Sequence, residues 1–131
     1  RRQMILMEEH MKTNYDKFRE MLPLVAGILD LSKAVSDPDA VKNMGYEEVF
    51  DGAYTGDLFL KMDDQQINDA VEEIFDALEP GGLLYAKFRA EAQIGEYINE
   101  DAGFDVIEVF DDGVICKRRD TGSINIFNMM C

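Results

Sequence analysis

Three short clusters end apolar runs on residues able to do chemistry: Asp30-Leu31-Ser32, Tyr54-Thr55-Gly56-Asp57 and Lys87-Phe88-Arg89. The Asp57 carboxylate can act as a base, or orient a cationic or hydroxyl-bearing substrate. Tyr54 offers an aromatic wall with a hydroxyl at its tip. Gly56 has no Cβ and lets another group approach its backbone closely. Bland roles stay open beside these: Asp57 also suits a cap, Tyr54 a core position, and Lys87 and Arg89 a solvated edge. Metal chemistry has little to work with. His10 is the single histidine and the two cysteines, Cys116 and Cys131, lie in no Cys-x-x-Cys or Cys/His spacing, so no metal site is expected.

These clusters need elements that bring them together. Phe50 to Tyr54 is short, mostly apolar and bounded by Gly and Asp, the pattern of a buried strand. Ile67, Ala70, Val71, Ile74 and Leu78 then recur at helical spacing. Pro80-Gly81-Gly82 predicts a turn, and Leu83 to Phe88 a second buried strand. Strand, helix and strand at these lengths predict a right-handed parallel crossover. Upstream, Val25 to Leu31 reads as a first strand. Asp37, Pro38 and Gly45 suit the cap, first turn and stop of a short helix. Met4, Met7, Met11, Tyr15, Phe18 and Leu22 predict a helix over Gln3 to Leu22, closed by Pro23. Downstream, Glu91 to Ala102 reads as a helix. Phe104 to Phe110, Val114 to Arg118 and Ile124 to Met130 read as strands joined by turns at Asp111-Asp112-Gly113 and Asp120-Thr121-Gly122-Ser123. In an open sheet of this kind ligands bind beyond the carboxyl ends of the parallel strands, where the three clusters would converge.

The residues Phe50-Asp51-Gly52-Ala53-Tyr54, Leu78-Glu79-Pro80-Gly81-Gly82-Leu83-Leu84-Tyr85 and Asp101-Ala102-Gly103-Phe104-Asp105-Val106-Ile107-Glu108-Val109 resemble, in order and spacing, the fourth, fifth and sixth strands of class I S-adenosylmethionine-dependent methyltransferases. Val25-Ala26-Gly27-Ile28-Leu29-Asp30-Leu31 resembles that family's first strand. The resemblance implies a three-layer α/β Rossmann-like sheet, mostly parallel with antiparallel C-terminal strands. It implies S-adenosylmethionine as cofactor, with Asp30, Leu31, Ser32, Thr55 and Gly56 beside it. Asp57 and Tyr54 would lie on the side of a small-molecule substrate that accepts the methyl group.

The chain departs from that family after Leu31. The family's glycine-rich cofactor loop is absent, because no glycine occurs between Gly27 and Gly45. The interval from Asp30 to Phe50 is also too short for two crossovers and two strands, so a sheet reduced to about six strands is expected. That shortening leaves the first strand at a sheet edge. It motivates a second expectation, a catalytically inactive remnant that forms a homodimer through the exposed edge or the Met-rich helix, or binds a partner.

With 131 residues one domain over 1–131 is expected, divided into an N-terminal helix (1–22), a parallel core (25–88) and a C-terminal helix with antiparallel strands (91–131). A net charge of −14 argues against nucleic acid and anionic membranes, which need clustered cations, and leaves a cationic substrate or basic partner open. No apolar run approaches the roughly 20 residues of a membrane span and no leader pattern is evident, so a cytoplasmic protein is expected.

Overall fold

Alternating short apolar runs and helical stripes set the element order in the structure, a computed structural model in which residues 13–119 are described. Helix α1, Asn14–Glu20, starts at a capping box. Thr13 Oγ accepts from the Asp16 amide and the Asp16 carboxylate from the Thr13 amide, both at 3.1 Å. The helix expected from Gln3 therefore starts at Asn14 among the described residues; Met4, Met7, Met11 and His10 lie outside them. Strand β1, Ile28–Asp30, is shorter than expected, because Leu24 and Val25 form an exposed turn. One short helix was expected next; two 3₁₀ segments, Ser32–Ser36 and Pro38–Asn43, stand there. Strand β2 is Phe50–Tyr54, as read.

After a 3₁₀ segment at Leu58–Lys61 comes helix α2, Asp64–Ala77, opened by an Asp63/Gln66 capping box. Its stripe of Ile67, Ala70, Val71, Ile74 and Ala77 is buried. Strand β3, Leu78–Lys87, follows with no intervening loop. The expected Pro80-Gly81-Gly82 turn is instead a bulge inside β3. Phe50 pairs with Leu78 and Gly52 with Leu83, and Gly81 takes φ +84° to make the excursion. Helix α3, Ala92–Tyr97, covers half of its expected length. Strands β4, Phe104–Val109, and β5, Gly113–Arg118, form a hairpin. The strand expected at Ile124 to Met130 and the turn before it lie outside the described residues.

The strand order is β1-β2-β3-β5-β4. The β1/β2 and β2/β3 ladders are parallel; β3/β5 and β5/β4 are antiparallel and longer. This overturns the expected three-layer Rossmann-like, mostly parallel sheet. The described residues form a small mixed sheet of five strands with few helices, and more of its ladder is antiparallel. The physical reason is chain length. The interval between β1 and β2 holds only 3₁₀ turns, so no α-helix covers that crossover. One face of the sheet buries Leu29, Leu84, Val114 and Cys116 against α2 and α3; the other buries Leu83, Tyr85 and Ile115 under Phe18 of the seven-residue α1.

One buried cation ties β5 and the segment before β2 to the end of α2. Arg118 is 8% exposed and lies 4.1 Å above the Phe75 ring. Its Nη1 donates to the Phe75 carbonyl at 2.9 Å and to the Leu78 carbonyl, and its Nη2 meets Glu48 at 3.3 Å. The amides of Glu48 and Val49 donate to the Asp76 and Ala77 carbonyls at 2.7 and 3.0 Å. The carbonyls that a helix end leaves orphaned are thus satisfied without a glycine cap. Arg118→Ala is expected to lower the unfolding free energy by about 3 kcal/mol, since it strands carbonyls that accept from a charged donor. Arg118→Lys is expected to recover little of this, lacking the planar fork. Urea denaturation of both variants checks this, and a loss below about 1 kcal/mol for Arg118→Ala would show that water replaces the guanidinium.

Candidate functional site

The sheet brings the carboxyl ends of β1, β2 and β3 side by side. At the β1/β2 end, the Asp30 carboxylate accepts from the Ser32 amide at 2.9 Å and the Ser32 hydroxyl at 2.6 Å. Leu31 is buried and its amide donates to the Tyr54 carbonyl at 2.8 Å. Thr55 is fully buried. Its amide donates to the Tyr85 carbonyl, its hydroxyl donates to the Gly56 carbonyl, and that hydroxyl accepts from the Lys87 amide, each at 3.1 Å. Gly56 adopts φ +55°, and a Cβ placed there would stand 2.5 Å from Ser32 Cβ. What approaches the Gly56 backbone closely is this chain's own Ser32.

At the β2/β3 end the groups are more varied. Lys87 Nζ lies 3.9 Å from Asp57 and 3.6 Å from Asp112. The Tyr85 hydroxyl donates to the Asp112 carboxylate, 2.9 Å from either oxygen, and Asn14 Nδ2 donates to Asp112 at 3.0 Å. The Tyr54 ring packs 4.8 Å from Tyr15 and 5.2 Å from Tyr85. Tyr54, Asp57 and Lys87 therefore converge, as the strand ends require. Arg89 turns away and donates to the Leu60 carbonyl. Asp112, Tyr85 and Asn14 are the members that reading the sequence missed. The available signal was Tyr85 itself: a tyrosine in a buried run needs a partner for its hydroxyl. The acidic Asp111-Asp112-Gly113 turn supplies it from β5's near end.

Burial, together with the hydrogen bond and charge of Asp112, pushes the Tyr85 phenol well above the usual tyrosine range. On the opposite face, Tyr97 donates to Asp64; that bond and burial push its phenol up to about 12. The hydrogen bond from Arg119 holds the Asp105 carboxyl below its ordinary value. Burial pushes the Cys116 thiol far up, so it is an inert core residue. An open cleft of about 610 Å³ lies elsewhere, between α2 and residues 96–103, and is rimmed by Glu72, Asp76, Glu96, Glu100 and Asp101. Among the described residues no three His, Cys, Asp or Glu side chains are grouped to hold a metal ion, and no helix is long and apolar enough to cross a membrane.

No family model matches the chain, and no curated protein matches it. Among solved structures, one described as a possible exported protein from Bordetella parapertussis is similar, with a TM-score of 0.49 and 17% identity. The match covers 60% of this chain and 42% of that one, so the chain spans less than half of that protein.

The Tyr97–Asp64 bond sets a pH dependence. An unfolded tyrosine loses its proton near pH ~10, whereas folded Tyr97 keeps it to about 12. Between these values the folded state holds a proton that the unfolded state releases, so stability falls as pH rises through that window and is intact below it. Thermal denaturation against pH is expected to show this decline, and Tyr97→Phe to make it shallower. An unchanged slope in Tyr97→Phe would remove Tyr97 as its source.

Proposed function

We propose that this chain is a methyltransferase-like domain that no longer takes up S-adenosylmethionine and acts as a binding module. The observation that carries this reading is Ser32 lying against Gly56. A cofactor site in this position needs open backbone at the glycine and a free carboxylate for the ribose. Here Ser32 covers the backbone of Gly56, and its amide and hydroxyl both bond one oxygen, Oδ1, of the Asp30 carboxylate. The residues present do not fit the group, and no catalytic step through it is derived. The absence of glycine between Gly27 and Gly45 supports the same reading.

Partnering through a free sheet edge is the use of such a domain that the edge position of β1 supports. A cytoplasmic location rests on composition, and the unpaired Cys116 suits a reducing compartment.

One observation favours methyl transfer to a small molecule instead. Asp57 is largely exposed beside Lys87, three residues after Tyr54 at the end of β2, a placement suited to a substrate. Titration calorimetry separates the two readings. S-adenosylmethionine and S-adenosylhomocysteine are expected to give no binding heat up to millimolar concentration. Saturable heat from either cofactor would sink the binding-module reading.

A further inference from the structure

We infer that α1 is a strap: it lifts off the sheet as a unit while the sheet and α2 stay folded, and so opens one wall of the β2/β3 strand-end site.

The two faces of the sheet are covered very unequally. Strand β5 shows both at once, since Ile115 lies under α1 while its neighbours Val114 and Cys116 lie on the α2 side, all three wholly buried. Over Val114 and Cys116, α2 contributes Ile67, Ala70, Val71, Ile74 and Ala77 to the core. Over Ile115, α1 contributes Phe18, the one buried residue of its seven. Tyr15, Leu22, Tyr54 and Phe110 around it are partly buried. A local unit opens at a cost that follows the apolar surface it must expose. The α1 face therefore opens far more often than the α2 face.

The attachments of α1 suit such a motion. At its start Asn14 Nδ2 donates to Asp112 at 3.0 Å and to Asp111 at 3.4 Å, and Lys17 Nζ stands 5.6 Å from the centre of the Phe110 ring. These partners belong to the β4–β5 turn, where water competes and polar contacts contribute little. Further along, Phe18 and Leu22 rest on bare backbone. A Cβ on Gly52 would stand 3.1 Å from Phe18 Cζ and 2.8 Å from Leu22 Cδ1. Beyond the helix the chain runs through Leu24 and Val25, 100% and 94% exposed, before the Gly27 amide donates to Asp51 at 2.9 Å. Bending that connection exposes no apolar surface at Leu24 and Val25 and leaves β1 anchored.

What α1 covers gives the motion its consequence. The Phe18 ring lies 5.9 Å from that of Tyr85, and the Tyr15 ring 4.8 Å from that of Tyr54. Lifting takes Asn14 from Asp112 and both rings from the tyrosines. Tyr54, Tyr85, Lys87 and Asp112 then share one open surface, aromatic and charged, which the seated helix narrows.

Single thiols on neighbouring residues of β5 read the two faces separately. One full chain, Cys131→Ser, keeps Cys116; a second, Cys131→Ser with Cys116→Ala, carries Ile115→Cys. Both are labelled with an aromatic disulfide in native buffer and at rising urea, beside the equilibrium unfolding of each chain. Cys116 is expected to react only as fast as global unfolding allows, with the full urea dependence. The thiol from Ile115→Cys is expected to react about tenfold or more faster than the global unfolding of its own chain allows, with a much shallower urea dependence. Leu83→Cys lies on the same face and takes its place if Ile115→Cys does not fold. A thiol on the α1 face that reacts only through global unfolding overturns the strap. So does a Cys116 that reacts by the shallow route too, since α2 would then not stay folded.

Discussion

The guanidinium of Arg118 is the constraint on which the other elements depend. Helix α2 runs straight into β3, so its last carbonyls have no turn of their own to satisfy them. Arg118 comes from the far strand β5 to accept that role, with Glu48 and Val49 entering from the side of β2. One side chain thereby holds the helix, the parallel half and the antiparallel half in a single relation. Glu48 itself takes φ +52°, an uncommon conformation for a side chain with a Cβ. The amide it presents to Asp76 accounts for that placement.

The same economy governs the carboxyl ends of the strands. The Thr55 hydroxyl bonds the Gly56 carbonyl and the Lys87 amide, Ser32 bonds the Asp30 carboxylate, and Ser32 lies against the Gly56 backbone. Chemistry-bearing residues are present at the position where an open sheet gathers ligands. On the β1/β2 side they are closed upon themselves. On the β2/β3 side, Lys87 with its two carboxylates and the tyrosine pair remain partly open to solvent. The functional reading follows that asymmetry.

Local patterns made several elements legible. Strand β2 ends where its apolar run ends, α2 buries the stripe that its spacing marks, and the Asp111-Asp112-Gly113 hairpin lies where the turn residues stand. The layer architecture was not legible, because periods of two and three-and-a-half residues define elements and not which faces they cover. Pro80-Gly81-Gly82 misled for a related reason. Those residues allow a turn, but the group that ends α2 lies 40 residues downstream of Leu78, beyond any local window. In the candidate site, Tyr54, Asp57 and Lys87 could be placed together from the strand-end rule. Asp112 and Asn14 could not, since their partnership spans 98 residues.

Strand β5 lies between β3 and β4 although it is the last of the three in the chain. During synthesis β3 can pair only with β2, and β4 emerges with no ladder partner until β5, the strand that joins them, follows. The core under α2 stays open over the same interval, because Arg118 is the final residue of β5. Nascent chains side by side on one message each expose the open edge of β3 and the unpaired β4, the circumstance in which neighbours pair wrongly. Asp105 and Glu108 on β4, within a chain of strong negative charge, oppose that encounter until the correct partner arrives.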